Sequence, residues 1–276
     1  MKISQIQMLA AASLAAFATP AFAQSDDKPW EGAYIGGTIG VPAQENDNGE
    51  SVLFDTDRDG KFGDTVRTTT GANAFSPGFC NGAANGRTPA EGCRGDKDGI
   101  EFNVRGGYDI QKGNMVYGVV VEGGSSDARD SVSAFSVTPA FYYFTREIDY
   151  SLGARLRVGY AARGALFYAT GGAAFAKIKN EFETSNTANT FTENGSSNSL
   201  GYAAGGGAEV KVTKKISLGL EYLYTNYAED KYRINVGRGT APATNPFLLV
   251  SGGTDFRRSD SDFDMHNIRL TAAYRF

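Results

Sequence analysis

The sequence contains little histidine, tryptophan and cysteine, with one, one and two residues respectively among 276. Beyond residue 23, no apolar run is long enough for a membrane-spanning helix, which needs about 20 predominantly apolar residues. The formal net charge is −4 and no basic patch carries interleaved aromatic residues, so nucleic acid is not expected as a partner. The slightly negative mean hydropathy still allows a membrane protein, because alternating polar and apolar residues average to such a value.

Residues 1–23 have the features of a cleaved secretory signal peptide. Lys2 supplies a positive charge, residues 8–18 form a short apolar run, and residues 19–23 end in a small-x-small pattern before Gln24. We therefore expect residues 24–276 to form the exported domain. An uncleaved N-terminal membrane anchor is the alternative, but the apolar run is short for that purpose.

The last stretch of the sequence, residues 265–276, alternates between two faces. Its even positions are mostly apolar and end in Tyr274 and Phe276, whereas its odd positions include Arg269 and Arg275. A period of two predicts a β-strand with one apolar and one polar face. A strand that ends on exposed aromatic residues is typical of a barrel that crosses a bilayer, where aromatic girdles lie at the interfaces.

The same alternation predicts seven further strands, at residues 30–41, 100–110, 115–125, 146–160, 165–179, 198–212 and 216–227. Glycines and alanines blur the pattern in the fifth strand and leave its facing undecided. Short turns alternate with long connections, which are residues 42–97, 127–145, 180–197 and 228–261. This arrangement predicts an all-β fold: an eight-stranded antiparallel transmembrane up-and-down β-barrel with short periplasmic turns and four long external loops, the first of them irregular.

Charged residues in the predicted strands lie on the face opposite the apolar one. They are Arg105, Glu122, Arg155, Arg157, Glu209, Glu221 and Arg269. A one-residue slip of the fourth strand would place Arg155 and Arg157 in lipid, at a cost of roughly 4–8 kcal/mol. The sequence therefore predicts an apolar outer face, including Ile148, and a polar lumen. Opposite charges in the lumen should pair and plug the barrel; a narrow or gated pore is the alternative.

Four segments carry a resemblance to a known family: WEGAYIGG (30–37), RLRVGY (155–160), YATGGA (168–173) and YRF (274–276). In order and spacing they resemble the OmpA/OmpX-like eight-stranded outer-membrane β-barrels, including small proteobacterial surface antigens labelled "porin family". The resemblance implies an outer-membrane location, contact with lipid and lipopolysaccharide, and insertion by the barrel-assembly machinery. Tyr274 and Phe276 resemble the signal that this machinery recognises.

The same resemblance implies a structural or surface-interaction role. This role includes envelope integrity, surface exposure and binding through the four external loops. The sequence does not identify the ligand of these loops. A small-solute pore is the alternative, and a lipid-modifying outer-membrane enzyme is a third possibility. No peptidoglycan-binding domain follows the barrel, so that family activity is not implied.

Cys80 and Cys93 both lie in the first long connection. Because export permits oxidation, we expect a disulfide between them, whereas metal binding by two cysteines alone is not expected. The bridge would close a loop of about 14 residues and contribute roughly 3 kcal/mol by the chain-entropy account.

An acidic segment in the same connection starts like a calcium-binding loop. The predicted ligands are Asp55, Asp57, Asp59, Lys61 through its carbonyl, and Asp64. Gly60 stands at the sharp turn, but Val66 occupies the position where such loops place a bidentate glutamate. Asp64, or Asp96 and Asp98, would have to replace it. The sequence predicts a weak calcium site, with a solvated acidic loop as the alternative.

Enzymatic chemistry has little support in the sequence. The single histidine, His266, has no serine two positions away on its strand face, where a nucleophile–base pair would need it. Three alternating acids, Asp260, Asp262 and Asp264, stand beside a connection and are expected to be solvated. No catalytic residue is therefore predicted.

Overall fold

The computed structural model describes residues 28–43, 49–96, 99–194, 197–229 and 231–276. The predicted signal peptide lies outside these residues and stays a prediction. Within them no helix is long and apolar enough to cross a membrane. The strands in chain order are β1 (Gly32–Ala43), β2 (Val52–Asp55), β3 (Gly78–Asn81), β4 (Ala83–Ala84), β5 (Cys93–Arg94), β6 (Glu101–Lys112), β7 (Met115–Ser126), β8 (Arg129–Ser136), β9 (Ala140–Ala162), β10 (Ala165–Thr184), β11 (Thr190–Glu193), β12 (Ser197–Lys211), β13 (Ile216–Ala228), β14 (Ile234–Gly237), β15 (Thr254–Arg258) and β16 (Asp262–Arg275).

Eight of these strands form a closed antiparallel ring in the order β1, β6, β7, β9, β10, β12, β13 and β16, with β16 pairing back onto β1. Two connections at one end are only two residues long, Gly113-Asn114 and Arg163-Gly164. Both glycines and Arg163 have positive φ, as a tight hairpin turn requires. The ring confirms the predicted eight-stranded antiparallel barrel.

The outer wall of the ring is apolar and the lumen is polar. Side chains that point outward and are at least two-fifths exposed include Ile39, Val41, Phe102, Ile110, Tyr117, Val119, Val121, Leu156, Phe167, Leu200, Leu220, Ile268 and Leu270. All seven predicted lumen charges alternate with such residues, as the predicted register requires. In β10, whose facing the sequence leaves undecided, Leu166 and Tyr168 are buried and Phe167 points outward.

A bulge in β9 reverses the facing of its external half. Ile148 and Tyr150 pair with consecutive residues of β10, which leaves Asp149 as an extra residue. After Asp149, toward the short turns, the odd-numbered residues of β9 face the lumen. Before Asp149, toward the headpiece, the even-numbered residues face inward. Ile148 is 3% exposed and lies inside the barrel, so its predicted outward orientation is wrong.

The long connections are folded, contrary to the irregular structure expected for the first of them. β2, β15, β14 and β11 form a four-stranded sheet from the first, third and fourth connections, and β8 and β3 extend the barrel sheet beyond β9. We call residues 49–96, 127–147, 179–194 and 231–261 the headpiece. Its core contains Val52, Phe54, Val66, Phe75, Val132, Phe144, Ile234, Val236, Phe247 and Phe256.

Candidate functional site

Arg105 of β6 lies in the middle of the lumen and is 1% exposed. Its Nη2 is 3.4 Å from Oε1 of Glu209 in β12, and its Nη1 is 3.3 Å from Oε2 of Glu221 in β13. The Tyr168 hydroxyl donates a 2.8 Å hydrogen bond to the same oxygen of Glu221. One guanidinium therefore links two strands on the opposite side of the ring.

Toward the headpiece, Arg155 and Arg269 share two carboxylates. Arg155 lies 2.8 Å from Glu122 and 3.4 Å from Glu221, and Arg269 lies 2.9 Å and 3.6 Å from the same two residues. Arg269 also forms an ion pair with Glu101 through two of its nitrogens. Because each acid contacts more than one arginine, these groups form one continuous network.

At the opposite end of the network, Arg157 binds Asp109 through two nitrogens and contacts Glu209 at 2.9 Å. Its guanidinium lies between the rings of Tyr34 and Tyr168, 4.9 and 5.1 Å from their centroids. Arg275 completes this end with a 2.7 Å ion pair to Asp109. The close approach of Tyr34 depends on Gly107, where an added Cβ would lie 2.4 Å from the ring.

The structure brings all seven predicted lumen charges together and adds three that the predicted set lacks, Glu101, Asp109 and Arg275. The alternation already places these three on the polar face, so the signal for them exists in the sequence. Among the described residues the network holds five arginines and five acids, so its formal charge is zero. Mutual pairing offsets the cost of burying so many charges.

Apolar layers close the lumen on both sides of the charge network. Toward the short turns, Trp30, Val116, Ala161 and Leu166 pack with Tyr168. Toward the headpiece, the second layer contains Ile148, Ala174, Ala176, Ile178, Ala203, Leu223, Tyr227, Phe263 and Met265. The inward turn of Ile148 at the bulge therefore contributes directly to the outer closure.

A second ionic cluster lies within the headpiece. Arg258 binds Glu50 through two nitrogens, both at 2.7 Å, and Asp130 at 2.8 Å. Arg146 binds Asp130 at 2.5 Å and Asp260 at 2.8 Å. Burial favours a higher pKa for Asp130, but the two arginines outweigh it and lower this pKa to about 2. Asp260, expected to be solvated, is instead part of this cluster, which ties three of the four long connections together.

Cys80 and Cys93 form the expected disulfide. The bridge connects β3 to β5 and packs beside Ala84, Phe135 and Tyr143. It therefore braces the part of the headpiece that extends beyond β8.

The acidic segment is only partly assembled as the sequence predicts. Carboxylate oxygens of Asp55, Asp57 and Asp64 lie within 4.8 Å of one another. Asp59, predicted as a ligand, instead forms a 2.8 Å ion pair with the side chain of Lys61. Of the two fallback ligands, Asp96 accepts a hydrogen bond from the backbone of Ser131, and Asp98 lies outside the described residues. Calcium binding stays a prediction.

We expect calcium to bind the purified protein with a dissociation constant in the millimolar range, because one carboxylate fewer than predicted is available and the loop is exposed. Isothermal titration should show this binding, and Asp57→Asn should abolish it. Glu91→Gln removes an exposed acid of the same connection and serves as the control. The absence of heat up to millimolar calcium, or binding that Asp57→Asn leaves intact, would refute the site.

His266 lies on the outer face of the barrel among aromatic residues. Its Nδ1 is 2.6 Å from the Tyr222 hydroxyl, and its ring centroid is 5.1 Å from that of Tyr224. Tyr274 and Phe276, the residues of the predicted assembly signal, also point outward, at the end of the barrel that carries the short turns. Their rings meet edge to face with centroids 5.4 Å apart.

Comparisons with known proteins agree with the fold. Residues 9–276 match the family model described as "Outer membrane protein beta-barrel domain". A 22 kDa outer membrane protein of Rhizobium leguminosarum bv. viciae is 34% identical over 50% of this chain and 58% of its own length. A 25 kDa outer-membrane immunogenic protein of Brucella canis is 33% identical over 62% of each chain. The chain thus spans less than two thirds of the length of these two relatives.

The chain also matches solved structures at low sequence identity and low TM-score. The attachment invasion locus protein Ail of Yersinia pestis is 14% identical, with 89% of this chain and 99% of that chain covered and a TM-score of 0.34. The outer membrane protease OmpT from Escherichia coli is 10% identical, with 92% and 99% covered and a TM-score of 0.40.

Proposed function

We propose that this chain, which belongs to the outer membrane protein β-barrel domain family and is located in the outer membrane, is a non-conducting barrel. Its proposed role is structural and surface-interactive. The barrel anchors the protein in the envelope, and the headpiece presents a folded binding surface outside the cell. The observation that carries this proposal is the filled lumen, in which nine buried charges and the half-buried Glu122 neutralise one another among the described residues.

Closure of the lumen favours a structural role over transport. A conducting path would have to cross the charge network and both apolar layers, which contain Trp30 at one end and Phe263 at the other. An eight-stranded barrel is just wide enough for its own side chains, and paired charges in it cannot rearrange without leaving a partner unpaired. The ionic cluster around Arg258 adds a further closure on the external side.

A folded headpiece supports the surface-interaction role. Its sheet pairs strands from different connections, and Phe256 is fully buried among the rings of Phe54, Phe75 and Phe247. Such a core holds a defined surface in place, as specific binding requires. The Brucella relatives are named immunogenic, which agrees with a headpiece accessible from outside the cell.

We also propose that the protein is not an enzyme. The chain's one histidine lies on the outer wall beside Tyr222 and Tyr224, away from both ionic clusters. Asp260, the first of the three alternating acids, is occupied by Arg146. These positions support binding and architecture better than nucleophile–base chemistry.

The partners of the barrel wall are proposed from its chemistry. The outward apolar side chains fit the acyl chains of outer-membrane lipid and lipopolysaccharide. Tyr274 and Phe276, on the outer face of the final strand, are proposed as the contact for the barrel-assembly machinery during insertion.

Reconstituted protein is expected to leave planar lipid bilayers electrically silent, because charged and apolar side chains fill the lumen. The measurement is single-channel current across the bilayer, with a general porin in the same lipid as the positive control. Steady openings whose conductance changes in Arg155→Ala or Glu221→Ala would contradict the proposal and favour the small-solute pore.

A further inference from the structure

β10 and β11 are two of the headpiece strands with an edge that lacks a partner strand among the described residues. β10 pairs with β12 only as far as Ile178, but it continues along β9 to Thr184. β11 is the edge strand of the four-stranded sheet and pairs only with β14. Free strand edges present unpaired backbone donors and acceptors to which another chain can add.

The turn between β10 and β11 holds the two strands apart. The end of β10 stays on β9, because the Ser185 amide and the Thr184 hydroxyl both donate to the Phe141 carbonyl. The start of β11 is held to the other side, because the Asn189 side chain donates to the Gly237 carbonyl at 3.0 Å. A cleft of about 350 Å³ lies between the strands and is therefore preformed.

The floor of the cleft is aromatic. Phe182 of β10 and Phe191 of β11 have ring centroids 5.4 Å apart, and both rings are only partly buried. Phe144 supports Phe182 from the core side at 5.1 Å, and Tyr142 supports Phe191 at 6.1 Å. Fixed aromatic faces of this kind attract cations through the ring quadrupole.

Glu183 and Glu193 line the same cleft, but their carboxylates lie on different faces. Glu193 is two residues from Phe191 and shares its face, whereas Glu183 alternates with Phe182 and points to the reverse face of β10, beside Tyr143. Glu193 accepts a hydrogen bond from the Tyr232 hydroxyl. Burial, together with a hydrogen bond to Glu183, raises the pKa of Tyr143 to about 12. No lysine or arginine among the described residues forms an ion pair with the Glu193 carboxylate, and Lys179 of β10 pairs with Glu147 and Glu181 instead. The cleft therefore combines an aromatic floor with negative charge that the described residues do not compensate.

We propose that this cleft binds an extended basic segment of a partner protein. The segment adds as a strand to the free edge of β11 and places a lysine or arginine side chain over the Phe182 and Phe191 rings, beside Glu193. Main-chain pairing supplies affinity, and the acidic aromatic cleft selects the side chain. This inference rests on the proposed surface-interaction role and specifies the chemistry of the partner.

The test uses the full-length protein in neutral detergent micelles at about 0.15 M salt, which screens contacts between distant surface charges. The probe is a fluorescein-labelled peptide of alternating arginine and threonine, and its binding is followed by fluorescence anisotropy. We expect saturable binding that weakens roughly tenfold in Glu193→Gln, because this variant loses one charge-assisted contact. Glu183→Gln should weaken binding less, because the Glu183 carboxylate lies on the reverse face of β10. Asp149→Asn, on the barrel wall outside the cleft, should leave binding unchanged.

Two peptide controls separate strand pairing from charge alone. A peptide of alternating glutamate and threonine should not bind, and N-methylation of alternate amides in the basic peptide should weaken its binding at least tenfold. Equal binding of the methylated peptide, equal weakening by Asp149→Asn, or no binding to a folded sample would overturn the proposal. If the protein conducts no current and does not bind the peptide, only this inference is refuted. If it conducts current and binds the peptide, only the proposal of a plugged lumen is refuted.

Discussion

Replacement of Arg157 by methionine is expected to lower the free energy of unfolding by about 3–5 kcal/mol. Arg157 is 5% exposed and contacts both Asp109 and Glu209, so its removal leaves two buried carboxylates with one positive partner fewer each. It also removes the cation between the Tyr34 and Tyr168 rings. Urea unfolding in lipid vesicles measures the change, with the fluorescence of the fully buried Trp30 as the reporter.

A second variant tests whether the loss of stability comes from the unbalanced charge. Glu209→Gln added to Arg157→Met restores a neutral lumen, so the double variant should be more stable than the sum of the two single losses by more than about 1 kcal/mol. Lys177→Met is the matched control, because its ion pair with Asp149 is exposed and contributes less than about 1 kcal/mol. A single Arg157→Met variant within about 0.5 kcal/mol of the unchanged protein would contradict the structural role of the network.

The barrel is predictable from the sequence because its strands are long and repeat one physical constraint. Ten or more residues of alternation leave little freedom in register, since a slip places arginines such as Arg105 and Arg269 in lipid. The predicted strand at 115–125 differs from the observed Met115–Ser126 by a single residue. The same alternation placed Glu101, Asp109 and Arg275 inside, although their pairing requires the three-dimensional arrangement of the ring.

The bulge in β9 is not visible in the pattern of the sequence alone. Residues on both sides of Asp149 are apolar or aromatic, so either facing satisfies a count of alternating positions. What decides between them is the partner strand, where Ile178 joins Ile148 in the outer apolar layer. A bulge is therefore recognised from cross-strand pairing, which is information that a single strand does not contain.

The fold of the headpiece is not predictable from the sequence for a related reason. Its strands are short, as β2 and β14 with four residues each show, and four residues contain too few periods to separate a strand from a turn. Their partners lie far away in the chain: Phe54 pairs with Phe256 across two hundred residues. Glycine- and asparagine-rich composition suggests a loop, whereas long-range packing of a few aromatic side chains determines the folded result.

Replacement of Phe256 by alanine is therefore expected to unfold the headpiece locally while the ring of barrel strands stays intact. Phe256 is fully buried and lies 4.9 Å from the Phe54 ring and 5.2 Å from the Phe247 ring. Removal of a buried phenylalanine side chain costs about 3–5 kcal/mol, which is comparable to the whole stability expected of such a small unit. Hydrogen exchange should become faster throughout β2, β14 and β15.

The barrel strands supply both the reference and the control for this experiment. Exchange in β6 and β7 should not change, because their stability comes from the ring and the lumen network rather than from the headpiece core. Phe102→Ala removes a phenylalanine side chain from the outer wall of the barrel, where it is 57% exposed. This variant should leave the hydrogen exchange of the headpiece strands slow. Unchanged exchange in β14 of the Phe256→Ala variant, or equal loss of protection in β6, would show that headpiece and barrel do not have separate sources of stability.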